Sequence, residues 1–259
     1  MTMKCPLCSG KREKCFQAKI LKKYDVSYFY CDNCGLLQTE SPYWLDEAYN
    51  NAIADADTGL VSRNIAISKR LACILFFLFG RDGKYVDVAG GYGLLTRLMR
   101  DIGFDFYWSD LYCDNIFAKG VEIATTEKPF SAITAFEVLE HVPDPVEFIQ
   151  RSLREAETST IIFSTELFTE SPPQPEAWWY YSLNTGQHIS FYQRKSLDFL
   201  GKRLSLATYS HGNIHMLTDE RVSYRSFKLI AGRLSNFFYE YVRRNMKSRT
   251  FIDHEKLAK

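Results

Sequence analysis

The sequence predicts an α/β protein in which helices cover a mostly parallel sheet, with a small metal-binding module in front of it. Short apolar runs alternate with helical patterns between residues 84 and 168, and a glycine-rich turn directly follows the first of these runs. Alternation of this kind is typical of parallel sheets, whose strands are joined by crossover helices. The separate module is predicted because five of the seven cysteines fall within the first 40 residues.

The hydrophobic pattern divides the chain into four segments. Residues 1–40 form the cysteine-rich module, residues 41–80 a helical bridge, residues 81–220 the sheet domain with a lid at 169–190, and residues 221–259 a basic helical tail. The tail has ten Lys or Arg against three acids. Two sets of apolar residues repeat at helical spacing. They are Ile67, Leu71, Ile74, Leu75 and Leu78 in the bridge, and Phe227, Ile230, Leu234, Phe238 and Tyr241 in the tail.

Four strands and two helices are predicted in the first half of the sheet domain. The strands are residues 84–88, 105–109, 131–136 and 160–164, and the helices are residues 94–102 and 145–155. Further along the chain we expect a short helix near residues 196–200 and two more strands before residue 220.

The composition is that of a globular chain, with 46% hydrophobic and 24% charged residues. A net charge of +1 gives no general argument for binding nucleic acid or a membrane. The longest apolar run, residues 71–79, is far shorter than the ~20 residues that span a bilayer. Residues 1–8 show no signal peptide, so the expected location is cytoplasmic. Thiols stay reduced there, which favours metal binding over disulfides for clustered cysteines.

The cysteines of the module are spaced as two metal-binding pairs. Two residues separate Cys5 from Cys8 and Cys31 from Cys34, so each pair can turn both thiolates toward one point. The 22 residues between the pairs fit a hairpin, with residues 28–30 in a strand, whose ends meet at zinc as in a zinc ribbon. Four thiolates fill a tetrahedron and leave no position for water, so the expected zinc is structural. The alternative is two pairs without metal. The other cysteines are expected to be buried and inert: Cys15, Cys73 and Cys113.

A glycine turn and the acid that follows it predict a nucleoside site. The first predicted strand runs into Gly90, Gly91 and Gly93, where backbone can approach a ligand with no Cβ in the way. About twenty residues further on, the next strand ends near Asp110, whose carboxylate can accept hydrogen bonds from both hydroxyls of a ribose.

A nicotinamide dinucleotide is the first competitor for this site. Its fingerprint needs a third glycine for close helix packing, and Thr96 stands at that position. Asp87, just before the turn, suits a ligand with a cationic amino group and suits a pyrophosphate poorly. S-adenosylmethionine carries such an amino group.

Three stretches resemble class I S-adenosylmethionine-dependent methyltransferases. Residues 87–93 (Asp-Val-Ala-Gly-Gly-Tyr-Gly) resemble their motif I, residues 132–145 resemble their strand-four motif, and residues 188–197 resemble a downstream block of one branch. That branch includes sugar methyltransferases with a four-cysteine zinc module and ubiquinone-type O-methyltransferases without it. The resemblance implies a Rossmann-like domain with a mostly parallel seven-stranded sheet. Ala89 replaces the first glycine of the motif, and residues 121–130 lack the usual acid at the end of strand three.

The resemblance also implies a set of contacts to S-adenosylmethionine. These are Asp87 and the backbone of Ala89, Gly90 and Gly91 for the amino-acid part, Asp110 for the ribose, Leu111 and Tyr112 for the adenine, and Phe136 and Glu137 for the floor near the sulfonium.

Histidine is the natural base for a hydroxyl or an acidic carbon near neutral pH, and His188 is the candidate. It follows an aromatic loop expected to close over the acceptor, formed by Trp178, Trp179, Tyr180 and Tyr181. The alternative role for His188 is a hydrogen bond to a loop carbonyl that anchors the lid. His141 either binds the acceptor or packs the start of the next helix, and we weigh these two roles equally.

The expected reaction is methyl transfer to a small-molecule or glycan acceptor, with a sugar or sugar nucleotide favoured. In sugar C-methyltransferases of this branch the block before the last histidine carries a Tyr and a further His. Residues 185–187 here are Thr, Gly and Gln, which leaves O- or N-methylation at least as well supported.

Two other hypotheses concern different functions. One is RNA methylation, with the cysteine module gripping RNA; no nucleic-acid partner is expected, because basic residues concentrate only in the first forty residues and the tail. The other is a module that binds the cofactor without turnover. For the basic tail, contact with an anionic membrane is weighed against a solvated helix face over a packed apolar stripe, and the second is favoured.

Overall fold

The computed structural model describes residues 3–49, 57–232 and 234–259, with only the backbone of Met3. Residues 50–56 of the predicted bridge and residue 233 of the tail lie outside the described residues. By the contacts among its residues the chain divides into two compact units. Unit 1 draws its described residues from Met1–Ala54, Phe136–Arg151 and Phe163–Leu217, and unit 2 draws them from Asp55–Ala135, Ser152–Ile162 and Thr218–Lys259. The boundaries proposed at residues 40, 80 and 220 stay predictions.

Strands and helices alternate along most of the described chain. The strands are β1 (Met3–Lys4), β2 (Lys11–Ile20), β3 (Tyr24–Tyr30), β4 (Leu37–Thr39), β5 (Lys84–Val88), β6 (Asp105–Ser109), β7 (Ala132–Ala135), β8 (Ile161–Ser164), β9 (Ser190–Phe191), β10 (Ala207–His211) and β11 (Ile214–Thr218). The helices are α1 (Leu45–Ala48), α2 (Leu60–Ile74), α3 (Leu94–Ile102), α4 (Pro145–Ala156), α5 (Arg194–Leu204), α6 (Tyr224–Ala231), α7 (Ser235–Asn245) and α8 (Thr250–Leu257). A π-helical turn, Leu75–Phe79, continues α2.

Unit 1 contains a five-stranded sheet with the strand order β1-β2-β3-β4-β9. β2 and β3 form the expected hairpin, paired antiparallel up to Ile20↔Tyr24. Its turn places Leu21 and Lys22 at φ of 53° and 57°, the positive values that a tight hairpin turn requires. The fifth strand, β9, pairs with β4 through Phe191↔Leu37, and this pairing was not predicted. The cysteine module therefore completes its sheet with residues from far along the chain.

The second sheet is mixed and has six strands in the order β10-β11-β8-β7-β5-β6. β5 pairs parallel with both β6 and β7, as the strand–helix alternation predicted. We expected seven strands, whereas the described residues provide six. The additional strand would lie beside β6, where a single parallel bridge joins Trp108 and Glu122. A 3₁₀ helix at Ile123–Thr125 follows this bridge at once, so too few residues stay extended to form a strand.

The predicted elements of the sheet domain agree closely with the structure. β5, α3 and β6 have the predicted bounds, and β7, β8 and α4 differ by no more than one residue at an end. The start of α4 is explained by ordinary capping. Asp144 Oδ1 accepts hydrogen bonds from the N–H groups of Val146 and Glu147, both at 3.0 Å, and Pro145 occupies the first turn.

The basic tail folds into three helices, α6, α7 and α8, in unit 2. Phe227 and Ile230 of the predicted apolar stripe are buried, whereas Leu234 and Tyr241 are each 53% exposed. The stripe is therefore packed only over its first part. Within the described residues, no helix is both long and apolar enough to cross a membrane.

A buried ion pair in unit 2 fastens α8 to α3. Arg100 and Asp253 form two parallel hydrogen bonds, Nε to Oδ2 at 2.7 Å and Nη2 to Oδ1 at 2.6 Å. Both residues are buried, at 4% and 5% exposure. Arg100 also donates to Asp105 Oδ1 at 3.1 Å, so this cation has two carboxylate partners. Removing one carboxylate from such a site leaves buried positive charge that is only partly compensated.

We expect Asp253→Asn to lower the free energy of unfolding by about 3 kcal/mol, because a broken buried pair is costly. Urea denaturation of the variant and the natural chain measures this loss. Glu240→Gln is the control, since Glu240 pairs with Arg243 at the surface of α7 and its loss is expected to cost less than about 1 kcal/mol. Equal losses in the two variants would show that the Arg100–Asp253 pair does not fasten the terminal helix.

Candidate functional site

The glycine turn between β5 and α3 has three residues in the left-handed region of backbone space. Ala89, Gly91 and Gly93 have φ values of 58°, 54° and 86°. A Cβ on Gly93 would lie 2.8 Å from Ala118 Cβ, so glycine is required there by space as well as by φ. A Cβ on Gly91 would meet no atom within 4 Å, so open space adjoins the turn. Ala89 adopts a left-handed backbone conformation at the position where the motif that residues 87–93 resemble has glycine, and this costs about 1 kcal/mol of strain.

Asp110 holds this turn against the end of β6. Its Oδ2 accepts from the N–H of Gly91 at 2.9 Å, and its Oδ1 accepts from the N–H groups of Tyr112 and Cys113 at 2.7 and 2.9 Å. Trp108 Nε1 donates to the carbonyl oxygen of Gly91 at 2.8 Å. The turn and the acid are therefore brought together, as predicted. The ribose contact of Asp110 stays a prediction. Its Oδ2, which accepts one hydrogen bond, has a lone pair for a further donor.

Asp87 lies at the carboxyl end of β5 and is only 4% exposed. Thr134 Oγ1 donates to its Oδ1 at 2.6 Å. Burial, and to a smaller extent the charge of Asp110, raise the pKa of Asp87 to about 7. Among the described residues no Lys or Arg pairs with this carboxyl group. A buried acid without a cationic partner suits a ligand that brings its own positive charge.

The remaining predicted cofactor residues differ in exposure. Leu111 and Tyr112 follow Asp110 and are 78% and 91% exposed, so their rings and methyl groups are accessible to a ligand. Phe136 follows β7 and is half-buried. Glu137 has a φ of 56°, its N–H donates to Ser164 Oγ at 2.8 Å, and Ser164 Oγ donates to its Oε1 at 2.6 Å. Positive φ at a residue other than glycine is uncommon and occurs at turns, helix ends and functional sites.

A group of ionisable residues in unit 1, here called the Glu–His–His cluster, consists of Glu140, His141 and His188. One nitrogen or oxygen from each lies within 4.8 Å of the others. Glu140 is fully buried, and the two imidazole rings meet edge to face with centroids 4.8 Å apart. The sequence offered His141 and His188 separately, and the fold brings them together. Nitrogen and carboxylate groups at this spacing can hold a metal ion or a polar substrate.

His141 lies at the end of a 3₁₀ turn, Leu139–His141, and its Nδ1 is 2.8 Å from Tyr49 Oη and 3.1 Å from the carbonyl oxygen of Gln187. Burial, followed by the positive charge of a protonated His188, lowers the pKa of His141 to about 3. His141 is therefore neutral at physiological pH. It does not lie on α4, which begins at Pro145.

His188 Nδ1 lies 2.7 Å from the carbonyl oxygen of Tyr180. Because a carbonyl oxygen only accepts, Nδ1 carries a proton, and in the neutral ring Nε2 holds the lone pair. The hydrogen bond to a loop carbonyl that we considered as an anchor is thus present. The same bond fixes the tautomer that a base needs, so the two roles are compatible, and the catalytic role stays a prediction.

The aromatic loop contributes mainly to the core of unit 1. Tyr180 and Tyr181 are both 1% exposed, and Tyr181 packs against Tyr28 and Phe191. The Tyr180 ring also meets His188, with centroids 4.8 Å apart. Trp178 is half-buried among them, and Trp179 is 76% exposed. Of the four aromatic residues expected to cover the acceptor, Trp179 is thus the one with most of its ring free to contact a ligand.

Two residues near the cluster were not predicted. Glu166 comes two residues after β8, and burial, with repulsion from Glu137, raises the pKa of its carboxyl group. Its place just past the carboxyl end of a predicted strand was a signal that could have identified it. Tyr49 contacts His141, but the segment around Tyr49 has no sequence motif or hydrophobic periodicity that indicates a site. Only the fold brings the two residues together.

The four cysteines of the module meet as predicted. Cys5 Sγ lies 3.5 Å from Cys34 Sγ, and Cys8 Sγ lies 3.4 Å from Cys31 Sγ. Each pair is folded by a tight turn, with Ser9 N–H donating to the Cys5 carbonyl and Gly35 N–H to that of Cys31. The cysteines of both pairs, Cys5, Cys8, Cys31 and Cys34, offer four converging sulfurs, which is the donor set of a structural zinc site.

The thiols of this cluster would hold unequal charge without a metal. A hydrogen bond with Cys34 lowers the pKa of Cys5 to about 5, and the same bond, with burial, raises the pKa of Cys34. Of the remaining cysteines, Cys73 is buried as expected, whereas Cys113 is only half-buried and Cys15 is exposed, since it occupies the solvent side of β2.

A family model described as a methyltransferase domain matches residues 64–210, more than half of the chain. No curated protein matches the chain. The chain is also similar to solved structures. One is magnesium protoporphyrin IX methyltransferase from Synechocystis PCC 6803 with bound SAM, which shows 12% identity over 69% of this chain and 93% of its own, with a TM-score of 0.39. An O-methyltransferase family protein from Burkholderia thailandensis shows 13% identity over 71% of this chain and 64% of its own, with a TM-score of 0.46.

Proposed function

The chain belongs to the methyltransferase family whose domain model covers residues 64–210, a family of class I S-adenosylmethionine-dependent enzymes, and from this premise we propose that it methylates a hydroxyl group of a small-molecule acceptor. In this proposal His188 removes the proton of that hydroxyl. A sugar or sugar-like acceptor is favoured. The alternative atom is the nitrogen of an amine, which would meet the same base.

The observation that carries the proposal is the hydrogen bond between His188 Nδ1 and the Tyr180 carbonyl oxygen, at 2.7 Å. It leaves the basic nitrogen of the neutral ring on the other side, and it fixes the direction of the ring. Proton removal by a positioned imidazole typically contributes about 10²–10⁴-fold to a rate. His141 is the weaker candidate, because a group with a pKa of about 3 has little driving force to take a proton from a hydroxyl.

The charge around the cluster supports a neutral or cationic acceptor. Glu137 and Glu140 both act on Tyr180 electrostatically, and burial raises the pKa of the nearby Glu166. Carboxylates accept hydrogen bonds from the hydroxyls of a polyol, and an exposed ring such as Trp179 can pack on the apolar face of a sugar. The same carboxylates would repel phosphates, so a polynucleotide acceptor is disfavoured at this cluster.

For the cofactor we propose that Asp87 receives the ammonium group of S-adenosylmethionine and that Asp110 receives the ribose hydroxyls. The backbone of Ala89, Gly90 and Gly91 would line the amino-acid part. Bound S-adenosylmethionine supplies a methyl group already activated by its sulfonium. The chain's own tasks are then to orient the two reactants, to exclude water and to take up the hydroxyl proton. The other contacts proposed are Leu111 and Tyr112 for the adenine and Phe136 and Glu137 near the sulfonium.

We also propose that Zn²⁺ binds Cys5, Cys8, Cys31 and Cys34. Four thiolates complete a tetrahedron, so this ion would shape unit 1 and take no part in bond making. The support is the convergence of four sulfurs with pairs 3.4 and 3.5 Å apart.

Incubation with S-adenosylmethionine labelled at the methyl group tests the proposed reaction. The purified chain is mixed with small-molecule and glycan fractions of a cell extract, and labelled products are identified by mass spectrometry. A labelled methoxy group on a small molecule is the expected result. Label confined to nucleic acid or protein, or transfer to carbon, would contradict the proposal.

We expect His188→Ala to lower kcat by at least about 100-fold while the KM for S-adenosylmethionine changes little, because the base acts only on the acceptor. Steady-state kinetics with saturating acceptor measures the effect. His254→Ala is the control, since His254 is exposed on α8 and its removal is expected to leave kcat unchanged. Full turnover by His188→Ala at saturating acceptor would leave only the anchoring role.

A further inference from the structure

Arg12 of unit 1 is a buried cation without an acidic partner. It lies on β2, two residues after the turn that holds Cys5 and Cys8, and it is 8% exposed. Its Nη1 donates to Gln38 Oε1 at 2.5 Å, and its buried Nε has no hydrogen-bond partner. Among the residues that the structure describes, no carboxylate forms an ion pair with it. A buried guanidinium is costly unless an anion compensates it, so some other negative group must act here.

The groups that supply the negative charge are the cysteines. Burial lowers the pKa of the Arg12 guanidinium, and negative charge on Cys5, Cys31 and Cys34 opposes that shift. Gly10, between the cysteine turn and Arg12, borders sulfurs of the same cluster, since a Cβ there would lie 3.2 Å from Cys8 Sγ and 3.6 Å from Cys31 Sγ. Four thiolates around a divalent ion carry a net charge of −2, and this charge would be largely buried with the cysteines. Neutral thiols would leave Arg12 uncompensated.

We propose that Arg12 is the counter-charge of the four-cysteine metal site and raises its affinity for Zn²⁺. The inference rests on the proposed zinc site and adds a residue outside the metal's own ligands. It also explains why an arginine occupies a buried position on a strand whose neighbouring residues, Lys11 and Glu13, are exposed. Groups around the ligands of a metal commonly alter its affinity by about 10- to 100-fold.

The same arginine connects the cysteine site with the Glu–His–His cluster through Gln38. Gln38 accepts from Arg12 and donates from Nε2 to the Pro143 carbonyl at 2.7 Å and to Ser190 Oγ at 2.9 Å. Ser190 Oγ in turn donates to the carbonyl of Val142 at 2.7 Å. Both carbonyls lie directly after the turn that carries Glu140 and His141. Gln38 thus links Arg12 to the residues that directly follow this turn.

The experiment measures zinc affinity in the full chain by competition with a chromophoric chelator. Arg12→Met is expected to release zinc at a chelator concentration about 10- to 100-fold lower than the natural chain requires. The matched control is Arg203→Met. Arg203 Nη1 donates to the Leu7 carbonyl at 2.8 Å, so this variant removes a cation that touches the cysteine turn from the surface. Its affinity is expected to stay within about threefold of the natural value.

Gln38→Met separates charge from packing, because it breaks the link to Pro143 and Ser190 and leaves the guanidinium in place. Its zinc affinity is expected to stay near the natural value. Equal losses in Arg12→Met and Gln38→Met, or no loss in Arg12→Met, would overturn the counter-charge. Should Arg12→Met fail to fold, Arg12→Lys decides: a retained ammonium is expected to keep the affinity within about threefold, and a tenfold loss overturns the proposal. A natural chain that takes up no zinc would refute the metal site itself.

Discussion

Removal of zinc from the four-cysteine site is expected to unfold the five-stranded sheet of unit 1. In the metal-free chain the four sulfurs would keep the contacts between Cys5 and Cys34, at 3.5 Å, and between Cys8 and Cys31, at 3.4 Å, and would lose all four metal bonds. Structural zinc contributes about 10–16 kcal/mol to the folding of small zinc-binding modules, which exceeds the whole stability of most domains. The loss is expected to extend past the module, since β9 pairs with β4 and Ser190 accepts a hydrogen bond from Gln38.

The measurement combines metal content with folding. Protein purified without added metal is analysed for zinc, and circular dichroism and calorimetry are recorded before and after treatment with a strong chelator. One zinc per chain is expected, together with a cooperative transition that disappears on chelation and returns when zinc is restored. Cys34→Ser is expected to mimic the chelated state.

Cys15→Ser is the control for this prediction, because Cys15 lies on the exposed side of β2 outside the cluster. It is expected to keep its zinc and its melting temperature. Two results would contradict the metal's role. One is a natural chain that contains no zinc and still melts cooperatively, and the other is a Cys34→Ser variant as stable as Cys15→Ser.

Much of the sheet and of the glycine turn could be predicted because the signals lie within short stretches of sequence. The bounds of β5, α3 and β6 follow from apolar runs and glycines that act on their immediate neighbours. The pairing of Gly91 with Asp110 follows from the rule that parallel strands end at one edge of a sheet. The cysteine cluster is likewise encoded by spacing alone.

The rest depended on contacts between distant segments. β9 is two residues long, too short to show a period, and it becomes a strand only because β4 offers an unpaired edge. The seventh strand was expected from family resemblance, but the chain after Glu122 turns before it can pair further. The low pKa of His141 depends first on its burial and then on the charge of His188, which lies 47 residues away in the chain. No local pattern could have indicated this pair.

Asp87→Asn is expected to abolish useful binding of S-adenosylmethionine and, at the same time, to stabilise the ligand-free chain. The ammonium group of the ligand would lose its carboxylate, which typically costs enough to weaken binding by about 10²-fold or more. Isothermal titration calorimetry measures the affinity. Asp114→Asn removes an exposed acid from the loop after β6 and is the matched control, expected to bind within about twofold of the natural chain.

The gain in stability follows from the raised pKa of Asp87, about 7 in the folded chain against an ordinary value of 3.8. Because the folded state holds the proton more tightly, no penalty exists below pH 3.8. The penalty grows as the pH rises and is complete above pH 7, where the buried carboxylate is charged. Asparagine never takes that charge. At pH 8 the free energy of unfolding is expected to rise by up to about 4 kcal/mol, at about 1.4 kcal/mol per pKa unit, and at pH 4 the two chains should be equal.

The pH dependence of binding gives the sharpest test of this role. Below pH 7 the free chain carries a proton on Asp87, and an ammonium group can bind only when that proton leaves. Affinity is therefore expected to fall by as much as about tenfold per pH unit below 7 and to level off above it. Titrations in buffers of different ionisation enthalpy should report close to one proton released at pH 6. A pH-independent affinity, or an Asp87→Asn variant that binds normally, would show that the ligand's ammonium group binds elsewhere. The destabilisation that the charged Asp87 causes in the free chain would then have no role in binding the ligand.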